Sequence, residues 1–231
     1  MFGKENLFVS IVTTRGSDWR KKLQEAAELG ITECALFLTN VTAIERKEFY
    51  RLLERSPIKK CPLVHLRSDM SLEEAEYFLG NYQTEVFNIH CRKQHPMAYD
   101  LSKYARLIYI ENVYHPFDED ELNQYAGICL DFSHLENDRL LEPKRYGSFI
   151  KSLKKHRIGC NHISGVADAI RASSDGFKRY DRHFFKDFAY FDYLKRYPKE
   201  YFSAHCAFEL ENSLVDQMKA RDYVIQLLND F

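Results

Sequence analysis

A single (β/α)8 (TIM) barrel over residues 1–231 is the α/β fold class that this sequence predicts, and three observations predict it. Strand-like apolar runs alternate with helix-like stretches eight times, the rhythm of parallel βαβ units. No glycine-rich phosphate loop follows the first run, which disfavours an open dinucleotide-binding sheet. Histidines and acids fall at or just after the ends of the runs PLVH, VFNIH, LIYIE, GICLDFSH, GCNHIS and FSAHCAFELE, where such a barrel carries its reactive side chains.

The elements read in order as follows. LFVSIVTT (7–14) is the first strand; Ser17 and Asp18 can cap a helix that runs to Leu29, and Gly30 ends it. ECALFLT (33–39) is the second strand, with a helix from about Thr42 to Arg55, and PLVHL (62–66) is the third. Ser71-Leu-Glu-Glu74 has the form of a capping box and opens the next helix. EVFNIH (85–90), RLIYIE (106–111) and AGICLDF (126–132) follow. Only a short helix fits Ala98–Ala105, so the barrel is slightly trimmed there. A charged helix runs from about Pro143 to His156, with the proline suited to its first turn. RIGCNHIS (157–164) is the seventh strand, Gly165 to about Phe185 the longest insertion, and FSAHCAFELE (202–211) the eighth strand. A closing helix covers about Leu214 to Leu228. With no linker or low-complexity stretch, one domain is expected.

The bulk properties exclude several function classes. At 45% hydrophobic and 29% charged, the chain has an ordinary globular balance. A formal net charge of -1 supplies no global basic field for nucleic acid. The six cysteines (Cys34, Cys61, Cys91, Cys129, Cys160, Cys206) contain no Cys-x-x-Cys pair. They fit reduced, buried thiols in a cytoplasmic protein. No signal-peptide pattern and no membrane-spanning stretch is expected. The 14% aromatic content reads as core packing.

Imidazoles mixed with carboxylates are the ligand set of Zn²⁺ or a similar divalent ion. A lone histidine is usually a surface or structural residue, and His95, His115, His156 and His205 are read that way. A carboxylate at a buried strand end is rarer, because an unpaired buried charge is costly, and this singles out Glu111 and Asp131. On the last strand His205, Ala207, Glu209 and Glu211 share one parity. Glu209 is the favoured ligand there and Glu211 the alternate. Asp131-Phe-Ser-His134 and Asp181-Arg-His183 are compact acid–imidazole pairs. In the second, the Arg182 guanidinium can approach a substrate phosphate while its neighbours hold a metal.

Cys129-Leu-Asp-Phe-Ser-His134, Asn161-His-Ile-Ser164 and Asp181-Arg-His183 resemble motifs of the xylose-isomerase-like TIM-barrel superfamily. Within it the endonuclease IV (family 2 AP endonuclease) group is the most similar, and sugar-phosphate isomerases and epimerases are relatives. The resemblance covers roughly Pro62 to Glu211; FFKDF after His183 departs from the family's glycine-containing continuation. It implies three metal sets: His65, His90 and Glu111; Glu111, Asp131, His162 and Glu209; and His134, Asp181 and His183. Two or three Zn²⁺ ions are implied, with Mn²⁺ or Mg²⁺ as alternatives. The implied activity is metal-dependent phosphoester hydrolysis on a small phosphorylated substrate or damaged DNA. The other reading is a sugar or sugar-phosphate isomerase or epimerase in which Glu111 and Glu209 act as acid and base and only the middle set holds a metal.

Overall fold

Nine parallel strands form one sheet, in the order β1-β11-β8-β7-β6-β5-β4-β3-β2. The strands β1 (Leu7–Phe8) and β2 (Ser10–Val12) are halves of one extended segment parted by Val9. One half pairs with β11 (Cys206–Phe208) and the other with β3 (Ala35–Phe37). The first segment therefore joins both edges of the sheet and closes an eight-stranded barrel. The remaining staves are β4 (Leu63–His65), β5 (Val86–His90), β6 (Ile108–Glu111), β7 (Gly127–Asp131) and β8 (Ile158–Ile163). The computed structural model describes residues 2–172, 176 and 178–230.

Strand parity divides the core in two. Phe8, Val12, Ala35, Phe37, Leu63, Val86, Tyr109, Cys129, Cys160 and Ala207 form one buried cluster, the filling of the barrel. Their strand neighbours Leu7, Ile11, Leu36, Val64, Phe87, Ile110, Ile128 and Leu130 face the other way, into the larger layer under the helices. All six cysteines are buried. No helix of the described residues is long and apolar enough to cross a membrane.

The helix boundaries follow local chemistry. In α1 (Trp19–Leu29) the Asp18 carboxylate accepts from Lys21 N, and Gly30 ends the helix at φ 64, a left-handed position that glycine adopts without strain. For α2 (Ala43–Glu54) Thr42 and Glu45 make a reciprocal capping box. In α3 (Leu72–Tyr82) the Glu74 carboxylate accepts from Ser71 N at 3.1 Å. A 3-10 turn over Ser102–Leu107 and the six-residue α4 (Glu119–Gln124) stand where longer barrel helices would be. The barrel is thus trimmed at two places, one more than expected. Pro143 occupies the first turn of α6 (Pro143–Leu153), and α7 (Leu214–Asn229) closes the fold.

Three departures from expectation concern the site. An unexpected helix, α5 (Phe132–Leu141), springs directly from the end of β7 and buries residues 132–138 consecutively. A helix buried all round shows no apolar stripe, so periodicity cannot find it. The insertion expected as a loop from Gly165 is an antiparallel ribbon of β9 (Gly165–Ala172) and β10 (Lys178–Arg182); residues 173–175 and 177 of it lie outside the described residues. The eighth strand is three residues long rather than ten, and 3-10 turns over Phe188–Arg196 and Lys199–Tyr201 precede it.

Candidate metal centre

The barrel's register assembles the ligands. His90 pairs with Glu111, and Asp131 with His162. Glu111 lies opposite Cys129, so Asp131 is the next residue of the same parity; His162 lies opposite Ala207, so Glu209 is the next beyond it. This two-residue stagger is the shear of a closed barrel. It carries the site around the mouth, one layer above the apolar filling. His65, His90 and Glu111 place ligand atoms within 4.8 Å of one another, as do Glu111, Asp131, His162 and Glu209. Glu111 belongs to both groups. Glu211 is elsewhere: it accepts from Thr14 Oγ1 at 2.7 Å and Gly16 N at 3.2 Å, so Glu209 is the last member of the cluster.

Supporting contacts aim these side chains. Asp131 Oδ1 accepts from Ser133 Oγ at 2.6 Å and His134 N at 2.8 Å, which caps α5. Its Oδ2 is left for the cluster. Asn112 clamps the Asp131 backbone, accepting from its N at 2.7 Å and donating to its carbonyl at 2.9 Å. Asn88 Nδ2 donates to Glu111 Oε2 at 2.9 Å. The Cys129 thiol is 3.3 Å from His162 Nε2, so the ring presents Nδ1 to Glu111 Oε2 at 3.4 Å and Glu209 Oε2 at 3.6 Å. Such outer contacts set the orientation of a metal-binding imidazole. Sequence reasoning missed Asn88, Asn112, Cys129 and Ser133; their inward or strand-end positions were the available signal.

The donor set fits a divalent cation. Asp131 Oδ2 and His162 Nδ1 are buried without a hydrogen-bond partner. His65 Nε2 also lacks one by geometry, although Glu111 Oε2 is 2.9 Å away. Buried polar atoms are seldom left so; a cation in the Asp131–His162 group would satisfy the first two, and one in the His65–His90 group the third. The charges are strained in the same sense. Burial works against the charge of Glu111, but His162 and His65 outweigh it and hold the carboxyl well below its usual range. Burial raises Asp131, Glu111 and Glu209 adding to it against the pull of His134. At His162 burial disfavours the imidazolium, yet Glu111, Glu209 and Asp131 prevail and raise it to about 9. A metal ion would supply the positive charge that this proton now provides.

The third implied set is not gathered into one group of ligands. His134 Nδ1 bonds Asp181 Oδ2 at 3.0 Å, and Arg179 Nη1 donates to the same oxygen at 2.7 Å. His183 turns instead toward Glu209, Nε2 to Oε1 at 3.7 Å. The physical reason is the ribbon: it delivers Asp181 beside α5, but β10 ends at Arg182, so His183 lies beyond the strand and is not held to its face. Arg182, expected to meet a substrate phosphate, donates to the carbonyls of Arg179, Asp181 and Ala169. Arg179 is the guanidinium that faces the site, stacked 4.7 Å over the Tyr114 ring. His134 Nε2 points at the cluster, 3.7 Å from Asp131 Oδ2 and 3.9 Å from Glu111 Oε1. Burial opposes its charge, but Asp131, Asp181 and Glu111 raise it well above the ordinary imidazole value.

Of the histidines read as structural, His156 pairs with Glu119 and His205 with Glu85. His95 stacks on His90 with ring centroids 5.2 Å apart.

Neither a known family model nor a curated protein matches the chain. Among solved structures it is similar to a xylose isomerase-like TIM barrel protein from Mycobacterium smegmatis, in complex with magnesium (13% identity, TM-score 0.48, covering 100% of this chain and 99% of that one). It is also similar to a xylose isomerase domain protein from Planctomyces limnophilus (13%, TM-score 0.45, 96% and 95%). A third is a xylose isomerase domain containing protein from Salmonella typhimurium LT2 (12%, TM-score 0.45, 100% and 95%). Likenesses this distant carry no activity across, and function must be read from the side chains at the barrel mouth.

Proposed function

We propose that this protein is a divalent-metal-dependent hydrolase of phosphoesters, similar in plan to endonuclease IV but built around two adjacent metal sites. The observation that carries the reading is Glu111, shared by the His65–His90 group and the Asp131–His162–Glu209 group. The first group, rich in imidazole, suits Zn²⁺; the second, with three carboxylates, suits Mn²⁺ or Mg²⁺ as well as Zn²⁺. Paired divalent ions, when bound, supply Lewis acidity that activates a water and offsets charge on the phosphoester.

The chain's own residues do the rest. Asn88 and the Cys129 thiol hold Glu111 and His162 in place. His134 aims Nε2 at the cluster and can give a hydrogen bond to a departing oxygen, while Asp181 on its other nitrogen favours the charged ring. Asp181 and Arg179 fix that ring from behind. The near-zero net charge favours a small phosphorylated substrate over DNA.

A second reading, a sugar or sugar-phosphate isomerase or epimerase, is favoured by the ungathered third set and by the placing of Glu111 and Glu209, which both approach His162 Nδ1. It would use the middle group alone. Elemental mass spectrometry of purified protein separates the two. Two ions per chain with hydrolysis of phosphate esters supports the hydrolase; one ion with interconversion of ketose and aldose, or of epimers, moves the reading to the isomerase. No bound metal after supplying Zn²⁺ and Mn²⁺ would overturn both.

A further inference from the structure

A cavity of about 70 Å³ opens beside the imidazole-rich group, lined by Thr39, His65, Arg67, Ser68, His90 and His95 among others. No carboxylate lines it, although the neighbouring cluster is rich in them. Its polar groups come from three segments that the barrel brings together: Thr39 after β3, Arg67 and Ser68 after β4, and His95 after β5. Arg67 is held in position by Nε to Asp69 Oδ1 at 2.9 Å and Nη1 to the Thr39 carbonyl at 2.6 Å. Those bonds leave Nη2 without a partner among the described residues. The Thr39 and Ser68 hydroxyls and the His95 ring likewise make no hydrogen bond among the described residues. His95 is nonetheless ordered against the site, by stacking on His90.

We infer that this cavity is an anion subsite that takes the terminal phosphate of a phosphomonoester. A fixed guanidinium, two hydroxyls and an imidazole are donors suited to an oxyanion, and the guanidinium fork matches phosphate geometry. Donors from three sides match a tetrahedral group with three terminal oxygens better than a planar carboxylate. The cavity adjoins His65 and His90, so a phosphate held there lies next to the imidazole-rich metal group. In making that phosphate part of the substrate, the inference rests on the function proposed above. It narrows the substrate to a small molecule that ends in a phosphate.

Calorimetric titration of the metal-loaded protein with inorganic phosphate and with phenyl phosphate tests it, each sample also being assayed for metal content. Phosphate should bind, and Arg67→Met should raise Kd at least about tenfold, with metal content unchanged. The double variant Ser68→Ala with His95→Ala should raise it several-fold and decides the matter if Arg67→Met fails to fold. Phenyl phosphate should show the same losses if the subsite takes the ester, whereas losses confined to inorganic phosphate would overturn the assignment to substrate. Undetectable phosphate binding, or a Kd the same in parent and variants, would overturn the subsite while leaving a two-metal hydrolase standing. A chain that takes no metal yet binds phosphate through Arg67 would do the reverse.

Discussion

Asp131 does two jobs with two oxygens, and substitutions can part them. Oδ1 caps α5 while Oδ2 stays free for a cation. Asp131→Asn keeps a capping acceptor and removes the charge, so it should abolish metal uptake and activity. In chelator-treated protein it should melt no lower than the parent, since one of several crowded buried carboxylates has gone. Asp131→Ala should cost about 1 kcal/mol more through the lost cap. Metal analysis beside thermal denaturation checks both, and an Asn variant that retains metal would remove Asp131 from the centre. His162 gives a pH signature. Its imidazole is raised to about 9 from an ordinary 6.5 in the metal-free protein. A raised folded-state value means that the pairing stabilises fully below about 6.5 and is lost as pH climbs through about 9. Chelator-treated protein should therefore lose melting temperature across that window, and metal-loaded protein should not, because a metal replaces the proton. Equal slopes with and without metal would contradict this placement.

Among elements, the ribbon and the β7–β8 seam matter most to the site. The β9–β10 ribbon lies on α5 and delivers Asp181 to His134 while Arg179 reaches the Tyr114 ring. Buried polar residues of α5 are met in turn: Asp138 by Arg145, Asn137 by Tyr180 N, and Glu136 by Arg139 and Tyr197. Arg179→Met should lower kcat about tenfold or more at unchanged metal content, whereas Arg182→Met should change kcat little, because its guanidinium serves ribbon carbonyls. Steady-state kinetics on the two variants would show the reverse order if Arg182 met the substrate. At the start of β7, Gly127 has φ 135, and a Cβ there would strike the Arg157 carbonyl. Gly127→Ala should cost roughly 1–3 kcal/mol in chemical denaturation. An unperturbed midpoint would mean that the two strands do not meet as described.

At the scale of the whole molecule, closure of the barrel creates the centre. The ligands span β4 to β11, and His65 on β4 and His162 on β8 bring their ring centroids within 5.6 Å because the sheet curls and the Val9 segment joins its edges. A stagger of two residues at alternate steps sets the inward layers, so an apolar filling lies directly beneath an ionic mouth. That arrangement keeps buried carboxylates close together, where a bound cation stabilises the fold as well as the chemistry.

Much of this was legible in the residues themselves. The eight staves, the capping of α1 and α3, and the imidazoles and acids at strand ends all follow from local chemistry: capping bonds span three residues, and strand ends carry polar groups where apolar runs stop. Parity also placed Glu209 and Glu211 on one face, yet only the fold could choose between them, by giving Glu211 to Thr14 and Gly16. The helix α5 escaped notice because burial on every side erases periodicity. The spacing of Asp181 and His183 suggested a shared metal, but the ribbon turned one toward His134 and the other toward Glu209. Arg182 was the nearest guanidinium in sequence, and Arg179 is the one that faces the site. Sequence determines which groups the chain carries and which local bonds they can make. The directions in which side chains point across a barrel mouth depend on register, shear and long-range packing, and those arise only when distant segments meet.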